Sequence, residues 1–139
     1  MPSQVTLLQI KRVIDANYNR AKEGLRVCED IFRFVHNDQK ITGRLKKIRH
    51  DLTAAVTLFG LKDIVAARDI IKDIGRMTIP AEARRGSLSD VFYANFQRVK
   101  ESLRVLEEFA KLKDARAAAR FKKLRYTVYD IEKNALERM

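Results

Sequence analysis

The chain has 139 residues, 46% apolar and 34% charged, with two prolines, five glycines and a formal charge of +11. That length suits one domain burying roughly 65–70% of its unfolded surface, and the composition favours helices over sheet. The charge permits nucleic acid, an acidic membrane surface or a phosphorylated small molecule as partner without choosing among them, while the lack of any run of 18 apolar residues excludes a membrane-spanning helix.

Thr6 to Gln9 reads as a short helical lead-in. The first long helix is expected from about Gln9 or Lys11 to Val35, with an inner face of Val13, Asn17, Ala21, Gly24, Cys28, Ile31 and Val35. Cys28 is the single cysteine, which excludes an intrachain disulfide and a cysteine-based zinc site. Asn37 either ends this helix or caps the next. The second helix runs to about Phe59 through Ile41, Leu45, Ile48, Leu52, Ala55 and Val56, and Gly60 is its expected C-cap. Leu61 to Ala67 adds a turn or two, and the following stretch to Arg85 is expected to be an ordered loop crossing one end of a bundle. Connections of that length in a compact domain are often functional. Ser87 with Asp90 resembles a capping box and opens the third long helix, to about Leu112. The fourth starts after Asp114 and runs through Ala118, Phe121, Leu124, Val128 and Ile131. No basic segment followed by an apolar one opens the chain, so no signal peptide is read and a cytoplasmic location is expected.

The chain repeats itself. DANYNRAKEGLRVCEDIFRF from Asp15 returns as YANFQRVKESLRVLEEFAKL from Tyr93, an offset of 78, and RLKKIRH from Arg44 returns as RFKKLRY from Arg120, an offset of 76. The order is kept, so the expectation is an all-α, pseudo-two-fold bundle of two helical hairpins in one domain. Repeat one spans about 11–59, a linker 60–86, and repeat two about 87–139.

The repeat isolates polar residues kept in both copies. Asn17 and Arg20, and their counterparts Asn95 and Arg98, are three apart on one helix face and therefore neighbours. A guanidinium fork suits a carboxylate or a phosphate, and an asparagine orients it or reads a ring nitrogen. Gly24 and Ser102 lack bulk at matching positions, so either helices approach closely there or a ligand has room. One reading is a ligand site; the other is a structural polar network of these residues with Glu23 and Glu101. The pairs Arg26–Asp30, Arg104–Glu108, Glu29–Arg33 and Glu107–Lys111 have i,i+4 spacing and read as surface electrostatics. His50 reads as a packing or hydrogen-bonding residue. In the linker, Asp69 and Asp73 are four apart, beside Arg68, Gly75 and Arg76. Two such carboxylates suit a hydrated magnesium ion and the arginines suit phosphate oxygens; capping aspartates and solvated arginines are the structural alternative. No Walker-type loop, dinucleotide fingerprint or nucleophile motif is present.

Five segments, VIDANYNRAKEGLRVCEDIFRF, RLKKIRHDL, ARDIIKDIG, ANFQRVKESLRVLEEFAKL and KKLRYTVYDIEK, resemble in order the small helical domain often fused ahead of thiamine-phosphate synthase. That domain is assigned as an alternative, non-ribokinase-like hydroxymethylpyrimidine phosphate kinase. The resemblance implies ATP-dependent phosphorylation of hydroxymethylpyrimidine phosphate to its diphosphate in thiamine biosynthesis, with magnesium and with thiamine-phosphate synthase as a possible partner. The family's RDxxGDVG segment corresponds to Arg68, Asp69, Lys72, Asp73, Ile74 and Gly75, with Lys72 in place of the first glycine and Arg76 where a small hydroxyl residue is common.

The resulting expectation is a phosphorylated pyrimidine bound between the repeats and the linker. Arg20 and Arg98 engage phosphate, Asn17 and Asn95 orient it or contact the ring, and Asp69 and Asp73 hold magnesium or activate the substrate hydroxyl. The rivals are a non-catalytic binding or regulatory domain for a thiamine precursor, a basic helical nucleic-acid binder, and a helical adaptor that forms a homodimer.

Overall fold

A computed structural model describes residues 5–139 and shows five α-helices: α1 Leu7–Asp30, α2 Gln39–Val56, α3 Leu61–Ala66, α4 Leu88–Ala110 and α5 Ala115–Glu137. Among the described residues there is no strand. The lead-in is α1's own first turn. Thr6 Oγ1 accepts from Gln9 N at 3.1 Å and Gln9 Oε1 accepts from Thr6 N at 2.9 Å, a reciprocal cap that starts the helix at Leu7 instead of Gln9 or Lys11.

The far end of α1 departs from regular periodicity. Ile31–Val35 form a π turn, closed by a hydrogen bond from His36 N to Ile31 O at 3.1 Å. A wider turn rotates the following side chains off the 3.6-residue stripe. Ile31 and Phe32 are therefore buried, but Val35, placed on the inner face by its spacing, is 56% exposed. Asn37 then takes a left-handed φ of 52°, which ends the helix, and the cap of α2 is Asp38, whose Oδ1 accepts from Ile41 N. After Val56 the chain tightens into a 3-10 turn through Phe59, and Gly60 breaks out of it at φ 78°.

The alternating stripes of the four long helices meet in one core that includes Ile14, Leu25, Phe32, Leu45, Leu52, Phe92, Phe96, Leu103, Phe121 and Val128. α1 packs against α2 and α4, and α5 against α4 and α2. α1 and α4 run antiparallel: Gly24 lies against Asn95 and Val99, Cys28 against Phe92, and Val13 near Phe109. Gly24 serves close helix approach, since a Cβ there would stand 2.8 Å from Val99 Cγ2 and 2.9 Å from Asn95 O. Of the two roles open for this glycine, the fold selects the first. Ser87 caps α4 through Asp90 N, and Asp114 caps α5 through Arg116 N and Ala117 N.

The linker has two parts. Its beginning is anchored, with Ile64 of α3 and the adjacent Ala67 buried and Arg68 tied to α1. Beyond it the aliphatic side chains face outward, Ile71 at 81% and Ile74 at 102% exposure, before a short 3-10 turn at Pro80–Ala83.

Candidate functional site

The repeated polar residues divide into two groups. The first holds each hairpin together. Arg49 donates to Glu29 through Nε at 3.2 Å and Nη2 at 3.4 Å, and Arg125 donates to Glu107 through Nε at 2.9 Å and to Tyr129 Oη through Nη1 at 3.0 Å. All four charged residues are buried. The Glu107 carboxylate, then the Tyr129 hydroxyl, push the Arg125 pKa upward. The expected surface pairs Glu29–Arg33 and Glu107–Lys111 are thus not formed. Their carboxylates reach across to the neighbouring helix, where burial makes a fixed partner obligatory. Lys111 pairs with Glu108 instead, at 2.9 Å, and Arg26 with Glu29 instead of Asp30, at 3.2 Å. Arg104–Glu108 forms as expected at 3.1 Å. His50, expected to pack or hydrogen-bond, is exposed.

The second group is local. Asn17 Nδ2 donates to Val13 O at 2.9 Å and Asn95 Nδ2 to Val91 O at 2.8 Å, each one turn back on its own helix. Glu23 and Glu101 are exposed and take no part in a network with these asparagines. Arg20 and Arg98 are likewise exposed.

A cleft of about 650 Å³ opens where the start of α1 meets the linker and the end of α4. Its geometry begins with Asp15, which is buried. Arg68 grips that carboxylate with both arms of its fork, Nε to Oδ2 at 2.7 Å and Nη2 to Oδ1 at 2.8 Å. The bond to Asp15 holds the Arg68 pKa above its ordinary value. Asn19 Nδ2 supports the same carboxylate at 3.2 Å. This clamp swings the linker across α1, so Asp69, Ile70 and Asp73 line the cleft with Arg12, Asn17 and Arg20. Phe109, from the end of α4, and Val13 supply apolar wall.

Arg68 is neutralised by Asp15, but Arg12 and Arg20 have no carboxylate within salt-bridge distance among the described residues. Two guanidinium groups two helical turns apart thus face one cleft with their charge available to an anion. Asp69 Oδ1 accepts from Ile71 N at 3.2 Å and Lys72 N at 3.1 Å, and Asp73 Oδ1 accepts from Gly75 N at 3.0 Å. Each carboxylate therefore shapes its own turn through one oxygen, and among the described residues Oδ2 takes no hydrogen bond. No three His, Cys, Asp or Glu side chains converge as a metal cage among the described residues. Two carboxylate oxygens do suit magnesium, which is commonly held by one or two carboxylates together with substrate phosphates.

Of the residues singled out by sequence, the cleft gathers Asn17, Arg20, Arg68, Asp69 and Asp73. Asn95, Arg98, Glu23 and Glu101 do not line it, so Arg20 and Arg98 do not share it as a pair. Asp15, Arg12 and Phe109 were missed. Arg12, Ala16 and Arg20 lie at i, i+4 and i+8, a spacing that would have placed Arg12 on the face of Arg20. Cys28 is fully buried, and burial, assisted by Glu132, pushes its pKa up to about 12.

The model of the ThiD2 family matches residues 12–134. The chain is 41% identical over 128 residues to a protein of Nostoc punctiforme named thiamine-phosphate synthase, covering 91% of this chain and 35% of that one. It is 40% identical over 121 residues to a thiamine-phosphate synthase of Rhodopirellula baltica, covering 86% of this chain and 32% of the relative. A thiamine-phosphate synthase of Thermosynechococcus vestitus is 40% identical over 125 residues, 89% of this chain and 34% of the relative. The chain thus spans about a third of the length of these relatives. No solved structure matches it.

Proposed function

The chain belongs to the ThiD2 family, and on that premise we propose that it phosphorylates hydroxymethylpyrimidine phosphate to the diphosphate, with ATP as donor and in functional association with thiamine-phosphate synthase. The supporting observation is the placement of two unpaired guanidinium groups, Arg12 and Arg20, in one cleft with Asp69 and Asp73. The substrate's phosphate lies against Arg12 and Arg20. Its ring rests on Phe109 and Val13, and Asn17 fixes its orientation from α1. The acceptor is a phosphate oxygen already ionised at neutral pH. Activation of a substrate hydroxyl therefore drops out as a role for Asp69 and Asp73, and they are the groups that would hold magnesium through their free oxygens. Magnesium, when bound, neutralises charge on the transferring phosphates. The acceptor oxygen bonds to the γ-phosphorus as the bridge to the β-phosphate breaks, releasing ADP. Arg12 and Arg20 offset the acceptor's charge, and the Asp15–Arg68 clamp positions the linker that carries both aspartates.

The two hairpins are further proposed to be related by an approximate two-fold axis, because Glu29–Arg49 and Glu107–Arg125 join the helices within each of them at repeat-equivalent positions. A second reading, a non-catalytic binding domain for the same precursor, draws on the use of Asp69 and Asp73 to cap their own turns. Incubating the full chain with the pyrimidine monophosphate, ATP and magnesium, followed by phosphorus NMR, separates the two. Diphosphate and ADP in equal amounts are expected. Saturable binding of the monophosphate without turnover would leave the binding domain, and neither would remove both readings.

A further inference from the structure

The segments RLKKIRH and RFKKLRY recur in the two halves, yet nothing in the cleft uses them. Their buried arginines, Arg49 and Arg125, are accounted for by Glu29 and Glu107. Their outer cations are accounted for only in part. Arg44 and Lys47 on α2, with Arg120 and Lys123 on α5, stand at matching i,i+3 positions and line the two sides of one groove of about 540 Å³. Its floor is apolar and is built from core residues, Ile48, Leu124 and Ile131. This groove shares no residue and no helix with the α1–linker cleft.

The charge balance of the groove is uneven. Lys47 pairs with the lining residue Asp51 at 2.7 Å, and Arg44 with Asp130, outside the lining, at 2.8 Å. Among the described residues Arg120 and Lys123 have no carboxylate within salt-bridge distance. One rim therefore carries two uncompensated cations, a guanidinium fork and an ammonium a single turn apart, facing a second rim of the same make. Phosphate oxygens suit both groups. The volume falls within the range of small-molecule sites, about 300–1,000 Å³, whose usual make-up is an apolar floor with a few charged groups at the edge. A nucleic-acid duplex would use cations spread over a surface and would leave an apolar floor unfilled.

We propose that the α2–α5 groove is a second binding site, for a small organic di- or triphosphate whose phosphates lie on Arg120, Lys123, Arg44 and Lys47 and whose apolar body covers Ile48, Leu124 and Ile131. The proposal stands independently of the pyrimidine reading, because the residues are separate. The test titrates the full chain with ATP, with inorganic tripolyphosphate and with a mixed-sequence DNA duplex, at fixed salt, by calorimetry and amide NMR.

In the groove one ATP is expected to bind and to shift amides in 44–54 and 120–131, separately from any shifts in the α1–linker cleft, with tripolyphosphate at least about tenfold weaker there for want of a body to cover the floor. The double variant R120Q/K123Q is expected to weaken ATP by about tenfold or more. Ala54→Trp keeps every charge but fills the groove, and is expected to abolish this binding. Both sets of changes are at exposed positions, and a melting curve checks that the fold is retained. ATP shifts confined to the α1–linker cleft, or unchanged binding in Ala54→Trp, would overturn the proposal. So would a duplex that binds tighter than ATP and is indifferent to Ala54→Trp, which would identify a general polyanion surface.

Discussion

The first half of α1 and the first half of α4 carry the two copies of one repeated segment, and they differ where it matters. Asn17 and Asn95 make the same bond one turn back along their helices. Two residues earlier the copies part. Asp15 is buried and clamps Arg68, whereas its counterpart Tyr93 is 58% exposed. Arg12 faces the cleft, whereas its counterpart Asp90 sits in the first turn of α4. What the halves share, the crossing pairs Glu29–Arg49 and Glu107–Arg125, is architecture. The linker clamp belongs to the first half alone, and the cleft takes from the second half only the Phe109 wall. Between the two copies, the buried crossing pairs are shared, and what sets the cleft apart is where the copies diverge, at Asp15 and Arg12.

The largest effect should come from breaking what is shared. Glu107→Ala leaves Arg125 buried without its carboxylate and is expected to cost about 3–5 kcal/mol, read from urea denaturation. Glu29→Ala should fall in the same class; a loss under about 1 kcal/mol in either would show that the crossing pairs are not the common scaffold. Next is the contrast between equivalents. Arg20→Gln is expected to weaken binding of the pyrimidine monophosphate by about 10- to 100-fold, while Arg98→Gln stays within about twofold. Equal losses would mean that both halves bind substrate.

Smaller again is the clamp. Asp15→Asn is expected to lower stability by only about 1 kcal/mol, because Arg68 is partly solvated. It should also speed proteolytic cleavage between Arg68 and Arg85, while Tyr93→Phe changes neither. The smallest effect distinguishes Cys28 from its counterpart Leu106. Burial pushes the folded thiol's pKa up to about 12 from 9.0. The neutral thiol is favoured on folding, so its contribution is intact below about pH 9 and is lost as pH rises toward 12. Cys28→Ala should therefore show a shallower alkaline decline in stability than the parent chain.

Helix existence was legible because the apolar stripes are long and the caps local: Ser87, Asp114 and Gly60 act within a few residues of where they stand. The crossing pairs were not, because spacing rules see partners on one helix, and Glu29 finds Arg49 across a turn. Val35 failed for a related reason: the π turn shifts the phase of the stripe without altering its composition. In the cleft, Arg20, Asn17 and the linker aspartates could be singled out by repetition or clustering. Asp15 carried neither signal. An acidic residue inside an amphipathic helix looks solvent-facing until the residue that neutralises it, 53 positions later, is brought alongside.

The outer linker has a bearing on how the molecule behaves in concentrated solution. Ile71, Ile74 and Met77 stand bare on a body whose formal charge is +11. In dilute buffer, mutual repulsion keeps such bodies apart. In molar salt that repulsion reaches only about 3 Å, and the greasy edge becomes the dominant contact between neighbours. Stocks of this protein would therefore cloud on salting up and clear on dialysis, the reverse of a protein held in solution by salt.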